Sequence, residues 1–339
     1  MTELPATPKD MKQLIHSGIR STLLALGSAT KAELSAKLGV SFPTVSKFLA
    51  EMKDTGEIAV VGMDNSSGGR RAERYEYNPE YMLGLAVFLE RTESNYIVYN
   101  CRGEVKDEGR GPCLLTDAGD SLAELIEECI RRFPQIRSLA IGVPGAVNQG
   151  RIIHIPDYEA LQHFDLKGAL ERRFGLPTAV ENDMNAAVMG YSRSLDSSDN
   201  PSLVYLYFGQ NGPGAGILIN GDVVRGNTFF SGEVSYVPQY EERNFGQALQ
   251  TRPPKGPGYA RVGEAGADAV SRLIAACTAI INPHTVVFCH DEVSVSLLND
   301  IKAKSAQYVP AEHLPRLMMS DWRRDYLNGL THLGLTLMI

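Results

Sequence analysis

Three short amphipathic segments, each followed by a glycine, fill residues 11–56 and constrain the fold more than any other feature. Apolar residues in the first segment recur at steps of three and four, which predicts a helix that ends near Gly27. In the second segment Thr30 precedes Glu33 by three residues, which is the signature of a capping box. Gly39, nine residues after Thr30, supplies a left-handed stop. The chain is therefore predicted to begin with helices separated by tight turns.

The second and third segments have the spacing of a helix-turn-helix. The third helix is predicted to be capped by Ser41 and to end near Thr55. Apolar residues stand where two such helices would meet, namely Leu34, Leu38, Val40, Val45 and Phe48. In this motif the N-terminal end of the later helix enters the major groove of DNA. The predicted DNA contacts are therefore Ser41, Phe42, Thr44, Ser46 and Lys47.

A basic hairpin is predicted to follow the three helices. Two strand-like runs, Glu57–Gly62 and Glu73–Tyr77, flank a flexible tip that ends in Arg70 and Arg71. Arginines on such a tip can reach phosphates or a narrow minor groove. We therefore predict that residues 1–78 form a winged helix-turn-helix DNA-binding domain with Arg70 and Arg71 as DNA contacts. The alternative is a small helical docking domain with an ordinary solvated hairpin.

The charge distribution and the cysteine content agree with a sequence-specific DNA-binding protein. The net charge of the chain is −7, whereas residues 1–78 hold ten Lys/Arg and nine Asp/Glu, a net of +1. A near-neutral N-terminal part on an acidic body argues against a protein that binds nucleic acid without sequence preference. The five cysteines form no closely spaced pair and no apolar run has the length of a membrane span. We therefore expect a cytoplasmic protein with no membrane association.

From Tyr81 onward strand and helix signals alternate, which predicts an α/β body. The body has roughly 260 residues, more than one sheet usually organises, which favours two lobes.

Several short motifs follow one another along the body in a defined order. They are Ile141-Gly142-Val143-Pro144-Gly145, Glu181-Asn182-Asp183-Met184-Asn185, the glycines of 212–216, Ser231-Gly232-Glu233, and Ile281-Asn282-Pro283-His284-Thr285-Val286-Val287. In this order they resemble the ROK family (repressor, open reading frame, kinase). Its members have the two-lobed actin-like ATPase fold of sugar kinases. Its regulators of the xylose and N-acetylglucosamine repressor type carry an N-terminal winged helix.

This resemblance covers nearly the whole chain and implies both a domain division and a ligand site. The first lobe would comprise residues 79–185 with about 322–339, and the second residues 186–321. Family kinases use the aspartate of the E-N-D-x-N motif as general base, a position that Asp183 matches. The implied sugar-binding set is Gly145, Asp157, Asn182, Asp183 and Glu233. The alternative is that these are ordinary hydrogen-bonded turn residues.

The phosphate and zinc motifs of the family kinases are not matched. Residues 84–92 read GLAVFLERT where the family has D-x-G-G-T, and Pro213 removes an N–H donor from the second glycine loop. Cys289-His290 replaces the family's adenine-side glycine pair. Tyr236 replaces a metal-binding histidine, and the cysteine-rich zinc motif has no counterpart. We therefore expect no catalysis, no cofactor and no metal, with Asp183 as a vestigial base.

Three functional hypotheses follow. The favoured one is a DNA-binding transcriptional regulator, a repressor by family resemblance, whose non-catalytic body senses a sugar or sugar derivative and dimerises. Its partners would be double-stranded operator DNA, the effector, and further copies of the chain in a homodimer or higher homo-oligomer. The alternatives are a sugar kinase that carries a DNA-binding head and a ligand-independent DNA-binding dimer.

Overall fold

The N-terminal part contains three helices and a small sheet. The computed structural model describes residues 7–64, 71–115, 119–155, 158, 161–195, 201–209, 212–240, 242–249, 251–252, 261–263 and 266–339. The first elements are α1 (Pro8–Leu26), β1 (Ala29–Thr30), α2 (Lys31–Leu38), α3 (Phe42–Asp54), β2 (Ile58–Met63) and β3 (Glu73–Tyr77). The sheet is antiparallel throughout, with strand order β1-β3-β2.

Local signals set the ends of these helices. The Thr30 hydroxyl accepts the Glu33 N–H at 3.2 Å and the Glu33 carboxylate accepts the Thr30 N–H at 2.7 Å, so the predicted capping box is confirmed. Gly39 has a φ of 64°, as the left-handed end of α2 requires. Ser41 is the N-cap residue of α3, as predicted, but its hydroxyl makes no bond to a helix N–H and instead lies 2.8 Å from the Thr44 hydroxyl.

Arg74 ties the β2–β3 hairpin to the helices. Its guanidinium donates to Asp64 Oδ1 at 2.8 Å and to the Ser28 carbonyl at 3.0 Å. The Asp64 N–H donates to the Ala72 carbonyl at 2.8 Å, which closes the described part of the hairpin. The predicted contact Arg70 lies outside the described residues, whereas Arg71 is described and exposed.

The body contains two five-stranded sheets. The first sheet has the order β10-β7-β4-β5-β6. Its segment of the chain contains β4 (Leu83–Leu89), β5 (Glu93–Asn100), β6 (Val105–Pro112), α4 (Asp120–Arg132), β7 (Ile136–Val143), β8 (Ala146–Asn148), β9 (Arg151–His154), α5 (Leu166–Phe174), β10 (Thr178–Asn182) and α6 (Asp183–Arg193).

The second sheet has the order β13-β12-β11-β18-β19. Its segment contains β11 (Leu203–Tyr207), β12 (Gly214–Ile219), β13 (Asp222–Val223), β14 (Pro238–Tyr240), β15 (Arg243–Asn244), α7 (Phe245–Ala248), β16 (Thr251–Arg252), β17 (Arg261–Val262), α8 (Ala267–Ile280), β18 (Thr285–Cys289), α9 (Val295–Ser305), β19 (Arg316–Ser320) and α10 (Trp322–Met338). Single 3₁₀ turns occur at Val234–Tyr236 and Ala311–His313.

The two sheets share one topology. In each, the first three strands form an antiparallel meander, and the fourth and fifth add in parallel on the other side of the first strand. In each, a helix precedes the fourth strand, another precedes the fifth, and a last helix follows it. The body is thus a repeated α/β unit, although the sequence shows no clean internal repeat.

The last helices of the two units, α6 and α10, hold the sheets together. They pack against each other, with α10 also contacting the first sheet and α6 the second. Two glycines permit the close approach, because a Cβ on Gly190 would lie 1.8 Å from the Asp325 carbonyl oxygen and one on Gly329 would lie 1.9 Å from the Ala186 carbonyl oxygen. Since α6 starts at Asp183, this crossing also fixes the position of a predicted site residue.

Candidate functional site

A pocket lies between the two units, where several strands end. It is lined by Gly145 after β7, by Asn182 and Asp183 at the junction of β10 and α6, by Tyr207 at the end of β11, and by Glu233. Parallel strands that end at one edge bring such side chains together, which is the usual place for ligands in α/β proteins. Four of the five predicted ligand residues therefore share one pocket, while Asp157 lies outside the described residues.

Asn182 organises the start of α6. Its Oδ1 accepts the Asn185 N–H at 2.9 Å, so it caps the helix. Its Nδ2 donates to the Gly145 carbonyl at 3.0 Å and to Asp183 Oδ1 at 2.9 Å. Gly145 has no room for a side chain, because a Cβ there would lie 2.4 Å from the His154 carbonyl oxygen. The two motifs that carry Gly145 and Asn182 are thus bonded to each other directly.

Asp183 is a buried carboxyl group at the pocket floor. Its side chain accepts the Met184 N–H at 2.8 Å, and only 8% of the residue is exposed. Burial raises the pKa of Asp183 to about 7, because the charged form loses its hydration and the Glu90 and Glu233 carboxylates oppose its ionisation. Burial also raises the pKa of Glu233. At neutral pH the pocket is therefore lined by carboxyl groups that hold protons more readily than exposed ones.

Arg225 forms an ion pair that sequence reasoning did not identify. It lines the pocket and its guanidinium donates to Glu181 Oε2. The other oxygen of Glu181 accepts the Asn182 N–H and the Asn185 side-chain amide, each at 3.0 Å. Glu181, the first residue of the E-N-D-x-N motif, therefore stabilises the motif by bonding to two of its other residues. No signal in the sequence pairs Arg225 with Glu181, since 44 residues separate them.

Phe229 is a second lining residue that the sequence did not reveal. Its φ of 62° lies in the left-handed region, which costs free energy for a residue with a side chain. Backbone strain of this kind concentrates at functional sites, so Phe229 is a candidate for contact with a bound ligand.

An aromatic cluster lies behind Tyr207. The rings of Tyr207 and Trp322 stack at 4.2 Å with an interplanar angle of 3°, and Phe88 and Tyr326 pack beside them. All four side chains are buried. The Tyr207 hydroxyl donates to Glu90 at 3.3 Å, and burial raises the pKa of Glu90 to about 7. The residues after β4, where the resemblance places a phosphate motif, thus adjoin a packed aromatic core.

A second candidate surface lies on α3. Its buried side chains, Val45, Phe48, Leu49 and Met52, face the core of the N-terminal part. The predicted DNA contacts occupy the other side of its first turns: Ser41, Phe42 and Lys47 are exposed, and Thr44 and Ser46 are half-buried. Phe42 is a large apolar residue that is 53% exposed. This end of α3 is therefore accessible to a partner.

The described residues contain no cluster of three His, Cys, Asp or Glu side chains that could hold a metal ion. None of the described helices combines the length and the apolar character needed to cross a bilayer.

Solved structures of two classes share this fold. A ROK family transcriptional regulator, described as a homologue of the E. coli MLC protein, aligns over 96% of this chain and 99% of its own with a TM-score of 0.64 and 20% identity. A ROK family glucokinase from Streptomyces griseus, in complex with glucose and AMPPNP, aligns over 75% of this chain and 99% of its own with a TM-score of 0.57 and 16% identity. The chain thus shares its fold with these two structures.

Residues 91–246 match the model of the ROK family, so the chain carries a ROK family domain. The xylose repressor of Caldicellulosiruptor bescii is 27% identical over 236 residues, which are 67% of this chain and 59% of the relative. The N-acetylglucosamine repressor of Escherichia coli O157:H7 is 23% identical over 239 residues, 67% of this chain and 58% of the relative. The chain matches about three fifths of the length of such relatives.

Proposed function

We propose that the chain is a sequence-specific DNA-binding transcriptional regulator, acting as a repressor in the cytoplasm, whose ROK body senses a sugar or sugar derivative without catalysis. The observation that carries the proposal is the exposed N-terminal end of α3, where Phe42 and Lys47 are exposed and Thr44 and Ser46 are half-buried. The names of the curated relatives, which are sugar-linked repressors, support it.

We assign residues 1–78 to a winged helix-turn-helix. The α2–α3 pair with its glycine turn supplies the two helices, and the β2–β3 hairpin is the wing. Arg74 bonds to Asp64 and Ser28 and therefore acts as a structural residue of the wing, which leaves phosphate contact to Arg70 and Arg71. The body is divided into lobes 79–185 with about 322–339, and 186–321.

The body is proposed to be non-catalytic because a packed aromatic cluster lies behind Tyr207, which lines the same pocket as Asp183. Phosphoryl transfer needs donors and a metal ion around the phosphates of the nucleotide. Phe88, Tyr207 and Trp322 are instead packed together, with the carboxyl group of Glu90 beside them. In its ionised form Glu90, whose pKa burial raises to about 7, opposes an anionic nucleotide.

The pocket is proposed to be the site where the effector binds. Ligand binding between the lobes would favour one lobe arrangement and so change the spacing of two DNA-binding heads in a homodimer. A two-fold dimer would read a two-fold operator. Gly145, Asp157, Asn182, Asp183 and Glu233 are the proposed ligand residues.

The test starts with selection of duplexes from a random library by the purified full chain. We expect an enriched sequence that binds at least ~10³-fold more tightly than random duplex. Thr44→Ala with Lys47→Ala should change the enriched sequence, whereas Lys302→Ala on α9 in the body should not. Enrichment of no sequence would overturn the proposed function. An assay of ATP consumption with free sugars separates it from the kinase: turnover that disappears in Asp183→Asn would establish catalysis.

A further inference from the structure

The side of α3 that faces away from the core is short of hydrogen-bonding groups. Pro43, Lys47 and Ala50 follow one another at steps of four and three, so they lie along one side of the helix, and all three are exposed. Phe42, the first residue of α3, adjoins them at the N-terminal end and is 53% exposed. We call these four residues the exposed face of α3. Of their side chains, only that of Lys47 can donate a hydrogen bond.

The other side chains at this end of α3 add few donors. The hydroxyl groups of Ser41 and Thr44 lie 2.8 Å apart and are hydrogen-bonded to each other, and Ser46 is half-buried. Proteins distinguish bases most often through paired hydrogen bonds, from Arg or Lys to guanine and from Asn or Gln to adenine. The sequence of α3 contains no Arg, Asn or Gln. Hydrogen bonds from this helix to base edges therefore depend mainly on Lys47.

The charge on this side of the helix suits an anionic partner. Lys47 is exposed on it, while Glu51, one turn further along, is bonded to Lys12 of α1 at 3.0 Å, so the negative charge of Glu51 is compensated. The major groove of DNA combines negative phosphates along its edges with apolar methyl groups on its floor, one on each thymine. The exposed face of α3, with one positive charge and three apolar side chains, is complementary to such a surface.

Phe42 has the largest apolar side chain of this face and stands where the later helix of the motif enters the groove. Pro43 and Ala50 are compact, so they allow the helix to approach the bases closely. An apolar side chain gains free energy by excluding water from a thymine methyl group, whereas it leaves the donors and acceptors of the other bases without partners. An exposed phenylalanine alone would indicate no ligand, since such residues are common on protein surfaces. For Phe42 the position on α3 and the scarcity of neighbouring donors together favour a thymine.

We propose that Phe42 is a specificity-determining residue that contacts the 5-methyl group of a thymine in the major groove. The inference rests on the proposed DNA binding and adds to it the group on the base that is recognised. About half of the Phe42 residue is accessible, and its removal leaves the buried side chains of α3 in place, so the contact can be tested without unfolding the helix.

The test replaces each thymine of the enriched duplex in turn by deoxyuridine, which lacks only the 5-methyl group. Fluorescence anisotropy at one fixed salt concentration gives the affinity of the full chain for each duplex. We expect deoxyuridine at one or more positions to weaken binding about fourfold, because burial of one such carbon contributes about 0.8 kcal/mol.

Variants of Phe42 assign the response to this residue. Phe42→Ala should bind the unmodified duplex more weakly and lose the response at those positions, so that thymine and deoxyuridine duplexes bind equally. Phe42→Leu keeps an apolar side chain and should retain part of the response. The control Val295→Ala removes an apolar side chain that is 62% exposed on α9 of the body, and it should change neither affinity nor response.

Three outcomes contradict the contact or its basis. Specific binding that is insensitive to every deoxyuridine, or an equal response in Phe42→Ala and wild type, overturns the inference and leaves DNA binding intact. A changed sedimentation coefficient of Phe42→Ala with an unchanged deoxyuridine response assigns Phe42 to a contact with another protein chain and also overturns it. Enrichment of no sequence overturns the proposed function, and the inference with it.

Discussion

At the scale of single residues, the carboxyl group of Asp183 links the chemistry of the pocket to stability. Its pKa is raised to about 7 by burial, as is that of Glu90, while unfolded carboxyl groups titrate near 4. The folded chain therefore binds more protons than the unfolded chain between about pH 4 and about pH 7. Stability from these groups is fully present below about pH 4 and is lost as the pH rises through about 7.

We therefore expect Asp183→Asn to flatten the pH dependence of stability. Asparagine keeps the Oδ1 acceptor for the Met184 N–H but does not titrate. The fall in unfolding free energy between about pH 5 and about pH 8 should shrink by on the order of 2 kcal/mol. Urea unfolding across this pH range measures it. Asp222→Asn, an exposed change on β13, is the control, and an equal slope in Asp183→Asn and wild type would contradict the assignment.

Arg70 and Arg71 lead to a prediction about salt. If both contact phosphates, Arg70→Ala with Arg71→Ala should lower affinity for all duplexes and reduce the slope of log affinity against log salt by about 2. Fluorescence anisotropy over a series of salt concentrations measures the slope. Arg316→Ala on β19 carries the same change away from the head and should leave the slope unaltered. A normal slope in the double variant would show that this hairpin is not the wing.

At the scale of elements, the caps of α2 and α3 provide a matched pair. Thr30 bonds to the Glu33 N–H, whereas Ser41 occupies the same position of its helix without such a bond. Thr30→Ala should therefore cost about 1 kcal/mol of unfolding free energy, and Ser41→Ala much less. Ser41→Ala should nevertheless weaken DNA binding, since Ser41 lies at the exposed end of α3. Urea unfolding of both variants checks the first statement, and equal destabilisation would contradict it.

Elements without a strong local pattern escaped prediction. The strand β6 (Val105–Pro112) is largely exposed and polar, so it has no apolar alternation to detect. The helix α10 contains Gly329 and Gly334, which weaken helix propensity. It is stabilised by tertiary packing instead, because Gly329 allows contact with α6 and Gly334 makes room for the Tyr99 hydroxyl. The predicted strand Glu73–Tyr77, which does show a local pattern, is confirmed.

At the scale of the whole molecule, one hydrophobic cluster runs from the head to the pocket. It includes Leu23 and Phe48 in the head, Tyr77 and Met82 at the junction, and Trp322 beside the pocket. An ion pair between the half-buried Arg20 of α1 and the buried Glu57 lies close to this junction. A continuous core favours cooperative unfolding of the parts that share it.

We expect head and body to unfold in one transition. Trp322 is the only tryptophan, so its fluorescence reports the core beside the pocket, and hydrogen exchange of the α2 amides reports the head. The two probes should give the same midpoint in urea, and a bound sugar should raise both midpoints equally. A head that unfolds at lower urea, with no response to the sugar, would show that the junction does not couple the two parts.

The sequence by itself determined the features that depend on neighbours three to five residues apart. The capping box of Thr30 and Glu33 and the turn at Gly39 are of this kind, because each is closed by a local hydrogen bond. Tertiary structure alone decided which distant residues meet. The Arg225–Glu181 pair, the stack of Tyr207 on Trp322 and the repeated sheet topology depend on how faces of separate elements pack. Such packing leaves no local periodicity in the chain.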